Sequence, residues 1–231
     1  MRMMVVFEKG KELRYIGHLD LMRTMQRALR RSLLPIKYSN GFNPHIRLSF
    51  AVPLSVGVIG ERELMEVPLE DGVTEEQFVS TMNAVLPSCL QIKCCRCVED
   101  AFPALMSLVA GADYRITFGK TEESRKAYEK FAEFMALKEY VTQRRTKSGE
   151  NECDIRPFVL GGNCRETDEG YVIELHTAAL KNGMLKPALW LEALREYAQA
   201  GEFEHMIFRS AILASGVNGE LIPMEELQYA R

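Results

Sequence analysis

The first hundred residues alternate between strand-like and helix-like hydrophobic patterns. Apolar residues that alternate with polar ones predict strands, and apolar residues at spacings of three and four predict helices. A helix is predicted over His18–Leu33, where Pro35 limits its continuation. The capping-box pattern Thr74–Gln77 predicts the start of a second helix. The predicted strands cover residues 5–7, 46–52, 65–69 and 90–98.

The second half of the chain repeats this order of elements. A strand at 114–118 is followed by a helix that begins at Thr121, and a helix with Pro187 in its first turn precedes the last strand. An extra charged hairpin, with its turn near Ser148–Gly149, interrupts the repeat. The remaining predicted strands cover residues 158–160, 171–175 and 203–213.

Each half therefore has the order strand, helix, strand, strand, helix, strand. In this split arrangement, right-handed crossovers place both helices on one face of an antiparallel sheet. The sequence thus predicts an α+β protein made of two tandem ferredoxin-like (βαββαβ) units with antiparallel sheets. We expect the first unit over residues 1–105 and the second, which carries the extra hairpin, over residues 106–231.

Length and composition indicate a globular protein of one large or two small domains, with 231 residues of which 47% are hydrophobic and 26% charged. The longest uncharged stretch, Gln77–Ile92, is shorter than the ~20 apolar residues of a membrane span, so we expect no membrane contact and a cytoplasmic protein. Residues 1–50 contain ten Lys and Arg but three Asp and Glu, a net charge of +7, whereas the remainder carries −10. This asymmetry favours an anionic partner for the N-terminal segment.

The predicted helix that begins at His18 carries four arginines along one side. These are Arg23, Arg27, Arg30 and Arg31, at positions i, i+4, i+7 and i+8, and they lie opposite the apolar residues of the helix. The loop that follows combines cations, aromatic rings and amide donors, which suit phosphate binding and the stacking of unpaired bases. The candidate nucleic-acid-binding residues are Arg14, Arg23, Arg27, Arg30, Arg31, Lys37, Tyr38, Phe42, Asn43, His45 and Arg47.

A purely structural explanation of this segment stays open. The arginines fit the solvated side of an amphipathic helix, and Tyr38 and Phe42 fit the cover of a core edge. If the segment binds nucleic acid, RNA is favoured over duplex DNA. No helix-turn-helix recognition helix is evident, and sheets with aromatic residues more often bind single strands.

Two of the four histidines, His18 and His45, lie in the basic segment. They are candidate general acid–base residues for a metal-independent ribonuclease, with Tyr15 or Tyr38 as an assisting group. The alternative is structural, with His18 as a helix cap and His45 bonded to a loop carbonyl.

The run Cys94-Cys95-Arg96-Cys97 resembles a metal motif on first inspection. On a strand, however, Cys95 and Cys97 face one side and Cys94 faces the other, so the three thiols do not converge on one ion. The chain also has no Cys-x-x-x-Cys-x-x-Cys motif, which would hold the cluster of a radical S-adenosylmethionine (SAM) enzyme. We therefore predict no metal site and no cofactor.

Runs that match a family pattern occur at Arg14–Asp20, Arg27–Arg31, Leu34–Pro35, Tyr38–His45, Leu48–Ala51 and Asp154–Phe158. Together they closely resemble the bacterial radical SAM-linked proteins, a family of unknown biochemical function. Its domain occurs alone or attached to the C-terminus of a radical SAM protein. The resemblance implies an accessory or substrate-presenting partner of a radical SAM enzyme.

Three functional hypotheses follow. The first is a non-catalytic module that binds tRNA or ribosomal RNA and works with a radical SAM enzyme. The second is a protein-interaction subunit that docks such an enzyme without contacting RNA. The third is the ribonuclease that uses His18 and His45.

Overall fold

The chain forms two compact units in a computed structural model that describes residues 1–146, 149–181 and 183–227. Unit 1 contains Met1–Val109 together with Ala211–Arg231, and unit 2 contains Ala110–Ser210. The division expected from the sequence has a single break near residue 105. In the structure, the end of the chain belongs to the same unit as its beginning.

The regular elements are listed here in chain order. The first seven are β1 (Arg2–Lys9), α1 (His18–Ser32), β2 (Ser49–Phe50), β3 (Val58–Pro68), α2 (Glu75–Val85), β4 (Leu90–Val98) and α3 (Leu105–Leu108). The next five are β5 (Val109–Phe118), α4 (Glu122–Ala136), β6 (Val141–Thr146), β7 (Gly149–Asp154) and β8 (Val159–Glu166). The last five are β9 (Tyr171–Leu180), β10 (Gly183–Met184), α5 (Pro187–Tyr197), β11 (His205–Ser215) and β12 (Leu221–Pro223).

In unit 1, strand β1 lies between β3 and β4 and is antiparallel to both. Val5 is opposite Met65 on one side and Cys95 on the other. Strand β2 pairs with β3, and β12 pairs with the last residues of β11. Because these pairs are antiparallel as well, the prediction of an α+β fold with antiparallel pairing is confirmed for this unit.

Strand β1 is buried on both faces, so its alternate residues enter two separate cores. The first core packs Met3, Val5 and Phe7 against α1 and α2. The second core lies on the other face and includes residues from the end of the chain. Its buried members are Met4, Val6, Ala51, Leu64, Val98, Phe102, Leu105, Ile212, Ala214, Met224 and Leu227. The burial of these last four residues explains why the C-terminal segment belongs to unit 1.

The predicted helix starts are present. Thr74 caps α2 in a capping box, in which its Oγ1 accepts from the Gln77 N–H at 3.2 Å and its own N–H donates to Gln77 Oε1 at 3.1 Å. Thr121 caps α4 with Ser124 in the same way, and α5 begins at Pro187. The two capping boxes satisfy N–H groups that the first turn of a helix leaves unpaired.

The strand predicted over residues 46–52 is shortened to Ser49–Phe50. The preceding backbone folds back on itself, and Tyr38 forms a bridge with Ile46. Ile46 is still buried, as its inward position in the alternation indicated. Its backbone, however, pairs with Tyr38 in the preceding loop and not with a strand of the sheet.

Unit 2 has its own antiparallel pairs. Strand β9 lies between β5 and β8, and β5 neighbours β11. Helices α4 and α5 pack through Phe131, Phe134 and Trp190, with ring centroids 6.1 and 5.7 Å from the Trp190 ring. The extra hairpin consists of β6 and β7. Ser148, where its turn was expected, lies outside the described residues.

Side-chain hydrogen bonds fasten the base of the extra hairpin. Asp154 Oδ1 accepts from the N–H groups of Tyr140 at 2.9 Å and Arg156 at 3.0 Å. The Arg156 guanidinium donates to the carbonyls of Leu137 at 2.8 Å and Val159 at 2.6 Å. The Asp154–Phe158 run therefore has a structural role that joins α4, the hairpin and β8.

We expect Asp154→Ala to destabilise unit 2 by about 1–3 kcal/mol, because two partly buried N–H groups lose their acceptor. The measurement is equilibrium denaturation followed by the fluorescence of Trp190, which is buried in this unit. Asp168 is exposed, so Asp168→Ala is the matched control and should leave the unfolding transition unchanged. Equal unfolding free energies for the two variants would contradict this role.

Candidate nucleic-acid interface

Helix α1 presents four arginines to solvent. Its buried residues face the first core, whereas Arg23, Arg27, Arg30 and Arg31 are all exposed. At about 100° per residue, these four side chains fall within an arc of about 100° on the outward side of the helix. We call these four residues the arginine face.

The charges of the arginine face are only partly compensated. Arg23 forms an ion pair with Asp20 at 3.0 Å, but both side chains are exposed, so the pair contributes little stability. Arg31 donates to the Val85 carbonyl at the end of α2 at 2.7 Å and keeps its full charge. Arg27 and Arg30 form no hydrogen bond or ion pair with any residue that the structure describes.

The chain leaves α1 and enters a protruding loop. Leu33 ends the helix in the left-handed conformation with φ 56°. The Lys37 N–H donates to the Pro68 carbonyl at 3.0 Å, which anchors the chain at the end of β3. Residues 37–47, which we call the aromatic loop, then extend from this edge and return to β2.

Backbone and side-chain hydrogen bonds hold the two arms of the aromatic loop together. The Arg47 N–H donates to the Lys37 carbonyl at 3.1 Å, and the Ser39 N–H donates to the His45 carbonyl at 2.8 Å. Ser39 Oγ accepts from the His45 N–H at 3.1 Å and lies 2.7 Å from His45 Nδ1. The role of Ser39 was missed from the sequence, because a serine in a loop carries no periodic signal.

The tip of the aromatic loop exposes Phe42 fully, and Asn43 beside it is also exposed. Tyr38 is 45% exposed. Phe42 therefore does not cover a core edge, which leaves its ring without a role in packing. A fully exposed aromatic ring on a tied loop is available for contact with a ligand.

The remaining cationic candidates are more engaged. Lys37 Nζ lies 3.9 Å from a Glu70 carboxylate oxygen. The Arg14 guanidinium stacks over the Tyr15 ring at 4.5 Å from its centroid and donates to the Lys11 carbonyl at 3.3 Å. Arg47, by contrast, is exposed, and its side chain has no hydrogen bond or ion pair within the described ranges.

The two candidate catalytic histidines have separate structural surroundings. His18 is the first residue of α1, and its ring packs edge-on against Phe50 with centroids 5.2 Å apart. Gly17, not His18, occupies the N-cap position. The His45 ring pairs with the Ser39 hydroxyl, 2.7 Å from its Nδ1, and not with the loop carbonyl that was expected. Among the contacts of the described residues, none joins the two histidines to each other or to Tyr15.

The three cysteines of β4 differ in burial. Cys95 is buried in the first core, whereas Cys94 and Cys97 are exposed. Burial raises the pKa of the Cys95 thiol to about 12, and burial likewise raises the pKa of Cys164 to about 12. Within the described part of the chain, no group of three or more His, Cys, Asp or Glu is arranged to hold a metal ion.

Comparison with known families adds a classification. The family model described as "Uncharacterized protein conserved in bacteria (DUF2344)" matches residues 2–187. The chain belongs to this family. All candidate residues of the arginine face and the aromatic loop lie inside the stretch that DUF2344 covers, and the link to radical SAM proteins stays a prediction.

Comparisons with curated proteins and with solved structures add little to the DUF2344 classification. No curated protein matches the sequence. Among solved structures, the chain is similar to "Crystal Structure of an Unknown Protein from Galdieria sulphuraria", with 10% identity and a TM-score of 0.28. This similarity covers 89% of the present chain and 95% of the other, but at this TM-score it carries no structural argument. None of the described helices has the length and apolar character needed to span a bilayer.

We expect an alkylating reagent at pH 8 to label Cys94 and Cys97 but to spare Cys95 and Cys164 in the folded protein. The thiolate is the reactive form, and at a pKa of about 12 it makes up roughly one part in ten thousand at this pH. Peptide mass spectrometry measures the labelling, and denatured protein is the control in which all four should react. Equal labelling of Cys95 and Cys94 in the folded protein would contradict the assignment.

Proposed function

We propose that this protein is a non-catalytic RNA-binding module, for tRNA or ribosomal RNA, that uses the arginine face and the aromatic loop of unit 1. The observation that carries the proposal is Phe42, whose ring is fully exposed at the tip of a hydrogen-bonded loop. The loop begins five residues after α1 ends, on the chain segment that also carries the arginines. Cations and an exposed ring on one segment match the two needs of RNA binding, phosphate neutralisation and base stacking.

The guanidinium groups of the arginine face suit phosphate contacts. Arg27 and Arg23 are one helical repeat apart, about 6 Å along the axis, and Arg30 and Arg31 extend the row by another turn. A guanidinium group donates two parallel hydrogen bonds to a phosphate, so each arginine is able to hold one group of the backbone. Part of this charge also favours the C-terminal end of α1 through the helix dipole, a role compatible with binding.

The aromatic loop suits an unpaired base. Stacking on an aromatic side chain contributes about 1–3 kcal/mol per base, and it requires a ring that is open on one face. Phe42 meets this requirement, and the Ser39–His45 hydrogen bonds restrain the arms that carry it. Restraint of the loop before binding lowers the entropy lost when the complex forms.

The proposed partner is a radical SAM enzyme, to which the module presents RNA. This part of the proposal rests on the resemblance of the Arg14–Asp20 and Tyr38–His45 runs. Both runs belong to unit 1, which also carries the arginine face.

A second candidate function, docking of the enzyme without RNA contact, is favoured by a different observation. Tyr15 and Leu19 are 68% and 63% exposed at the start of α1, and Val56 is 59% exposed. The Gly57 N–H donates to the Arg14 carbonyl at 2.7 Å, so Val56 adjoins the chain just before Tyr15. Exposed apolar side chains of this size suit a protein contact. Co-purification with a radical SAM protein that survives nuclease treatment would favour this candidate.

The ribonuclease hypothesis has no comparable observation in its favour.

We also propose that both units are ferredoxin-like. The strand order β4-β1-β3-β2 in unit 1 and β11-β5-β9-β8 in unit 2 supports this, because each corresponds to the order 4-1-3-2 of a βαββαβ unit. In unit 1, the second strand of the motif is only Ser49–Phe50.

We expect the double variant Arg27→Glu, Arg30→Glu to weaken binding of bulk tRNA by about tenfold or more, because two phosphate contacts are replaced by repulsion. Affinity is measured by fluorescence anisotropy over a range of salt concentrations, and the salt dependence should become shallower. The control is Arg125→Glu with Lys138→Glu, which reverses two exposed cations of unit 2. Equal affinities for all three proteins would refute the proposal.

We expect Phe42→Ala to weaken binding of single-stranded RNA roughly five- to hundredfold without lowering the melting temperature, because the ring stacks on RNA but packs on nothing in the protein. Val217→Ala, at a residue that is 88% exposed in unit 1, is the matched control. Unchanged RNA affinity of the Phe42 variant would assign the loop to another role.

A further inference from the structure

The sheet of unit 2 has one buried and one open face. Alternate residues of β9, beginning with Tyr171, are buried, and Tyr171 stacks on Tyr128 of α4 with ring centroids 4.5 Å apart. The residues between them, Val172, Glu174 and His176, are half-buried or exposed. Strand β5 shows the same alternation. The helices of unit 2 therefore cover only one side of these strands.

Flat and cationic side chains occupy the open face. The Arg115 guanidinium of β5 lies over the Phe208 ring of β11 at 4.6 Å from its centroid. His176 of β9 is opposite Asp113 of β5, and its Nδ1 lies 2.8 Å from Asp113 Oδ1. Since β9 and β11 flank β5, the strands that carry His176 and Phe208 are about 10 Å apart.

His176 is held in place but not covered. Its bond to Asp113 leaves Nε2 and one ring face available, and its side chain is 49% exposed. On the other side, its partner in β8 is Gly161, which has no side chain to cover the ring. The imidazole is thus oriented by a carboxylate and open to a ligand.

At its β8 edge, the open face presents a cation that a polyanion can contact. Both carboxylates have hydrogen-bond partners, Asp113 with His176 and Glu174 with the Asn163 amide at 2.9 Å. Arg165 of β8 is exposed and has no hydrogen bond or ion pair in the described ranges. A strand of RNA can therefore lay its bases over the centre of the sheet and a phosphate beside Arg165.

We propose that the open face of the unit 2 sheet is a second RNA site, which stacks unpaired bases on Phe208 and His176. The inference rests on the proposed RNA-binding function and specifies its ligand as single-stranded RNA. A four-stranded sheet whose open face carries aromatic rings, here the partly exposed Phe208 and the exposed His176, is a platform on which two or three bases stack. A protein partner is less suited to this face, because the hydrogen-bonded polar side chains of Asp113, Glu174 and His176 separate its apolar ones.

The test uses the full-length protein with His176→Ala and Phe208→Leu combined, and with short oligouridine RNA as the probe. We expect roughly a tenfold loss of affinity, measured at raised salt, where the contribution of the arginine face is screened. Phe208→Leu keeps an apolar side chain in the partly buried position. The control is His205→Ala, an exposed histidine of β11 at a position that alternates with Phe208.

The outcomes separate this inference from the proposed function. Unchanged oligouridine affinity of the double variant, with a loss in the Arg27→Glu, Arg30→Glu protein, would overturn the sheet site alone. No RNA binding by the wild type would overturn both, and equal binding of duplex and single-stranded RNA would overturn the stacking mode.

A second measurement needs no variant. Ultraviolet crosslinking of thiouridine-substituted oligouridine to the wild-type protein, followed by peptide mass spectrometry, should identify peptides that contain His176 or Phe208 in addition to Phe42. Crosslinks at Phe42 alone would overturn the second site, whatever the folding of the double variant.

Discussion

The two-sided burial of β1 is the constraint on which the structure of unit 1 depends. Its central residues Met3–Phe7 are apolar without interruption and all buried. A strand of this kind requires a layer on each face, whereas an antiparallel sheet that faces water on one side tolerates polar residues at every second position. Helices α1 and α2 supply one layer, and the segment around Phe102 with the C-terminal residues Met224 and Leu227 supplies the other.

The candidate interface follows from this constraint. Because the inner side of α1 is used to cover β1, the arginines have only the outward side available. The chain must then travel from the end of α1 to β2, and it does so along the edge of β3 through the aromatic loop. Unit 2 follows the other pattern, since Glu174 and His176 alternate with buried residues and one sheet face stays open. The two proposed RNA surfaces thus differ in kind, one a charged helix with a loop and the other a flat sheet.

Local signals predicted much of this architecture. Thr74 with Gln77, Thr121 and Pro187 mark helix starts that the structure contains, because caps depend on neighbouring residues only. The strand at Leu90–Val98 has the predicted bounds. The strand predicted at 46–52 is only partly present, because an alternating pattern specifies which side chains turn inward but not which neighbouring segment forms the backbone hydrogen bonds. The pairing of Tyr38 with Ile46 depends on the Ser39 hydrogen bonds, for which no periodic signal exists.

The sequence alone determined the order of the longer helices and strands, the outward side of α1 and the charge of the first fifty residues, because these depend on local pattern and composition; it did not predict the short elements α3, β10 and β12. Tertiary structure decided which of the candidates are available to a ligand. In the folded chain the His18 ring packs against Phe50, whereas the side chains of Arg27 and Phe42 are exposed to solvent. It also brought the end of the chain to unit 1 and set Asp113 beside His176. These contacts join residues far apart in sequence, and the packing of whole faces, which no local pattern encodes, determines them.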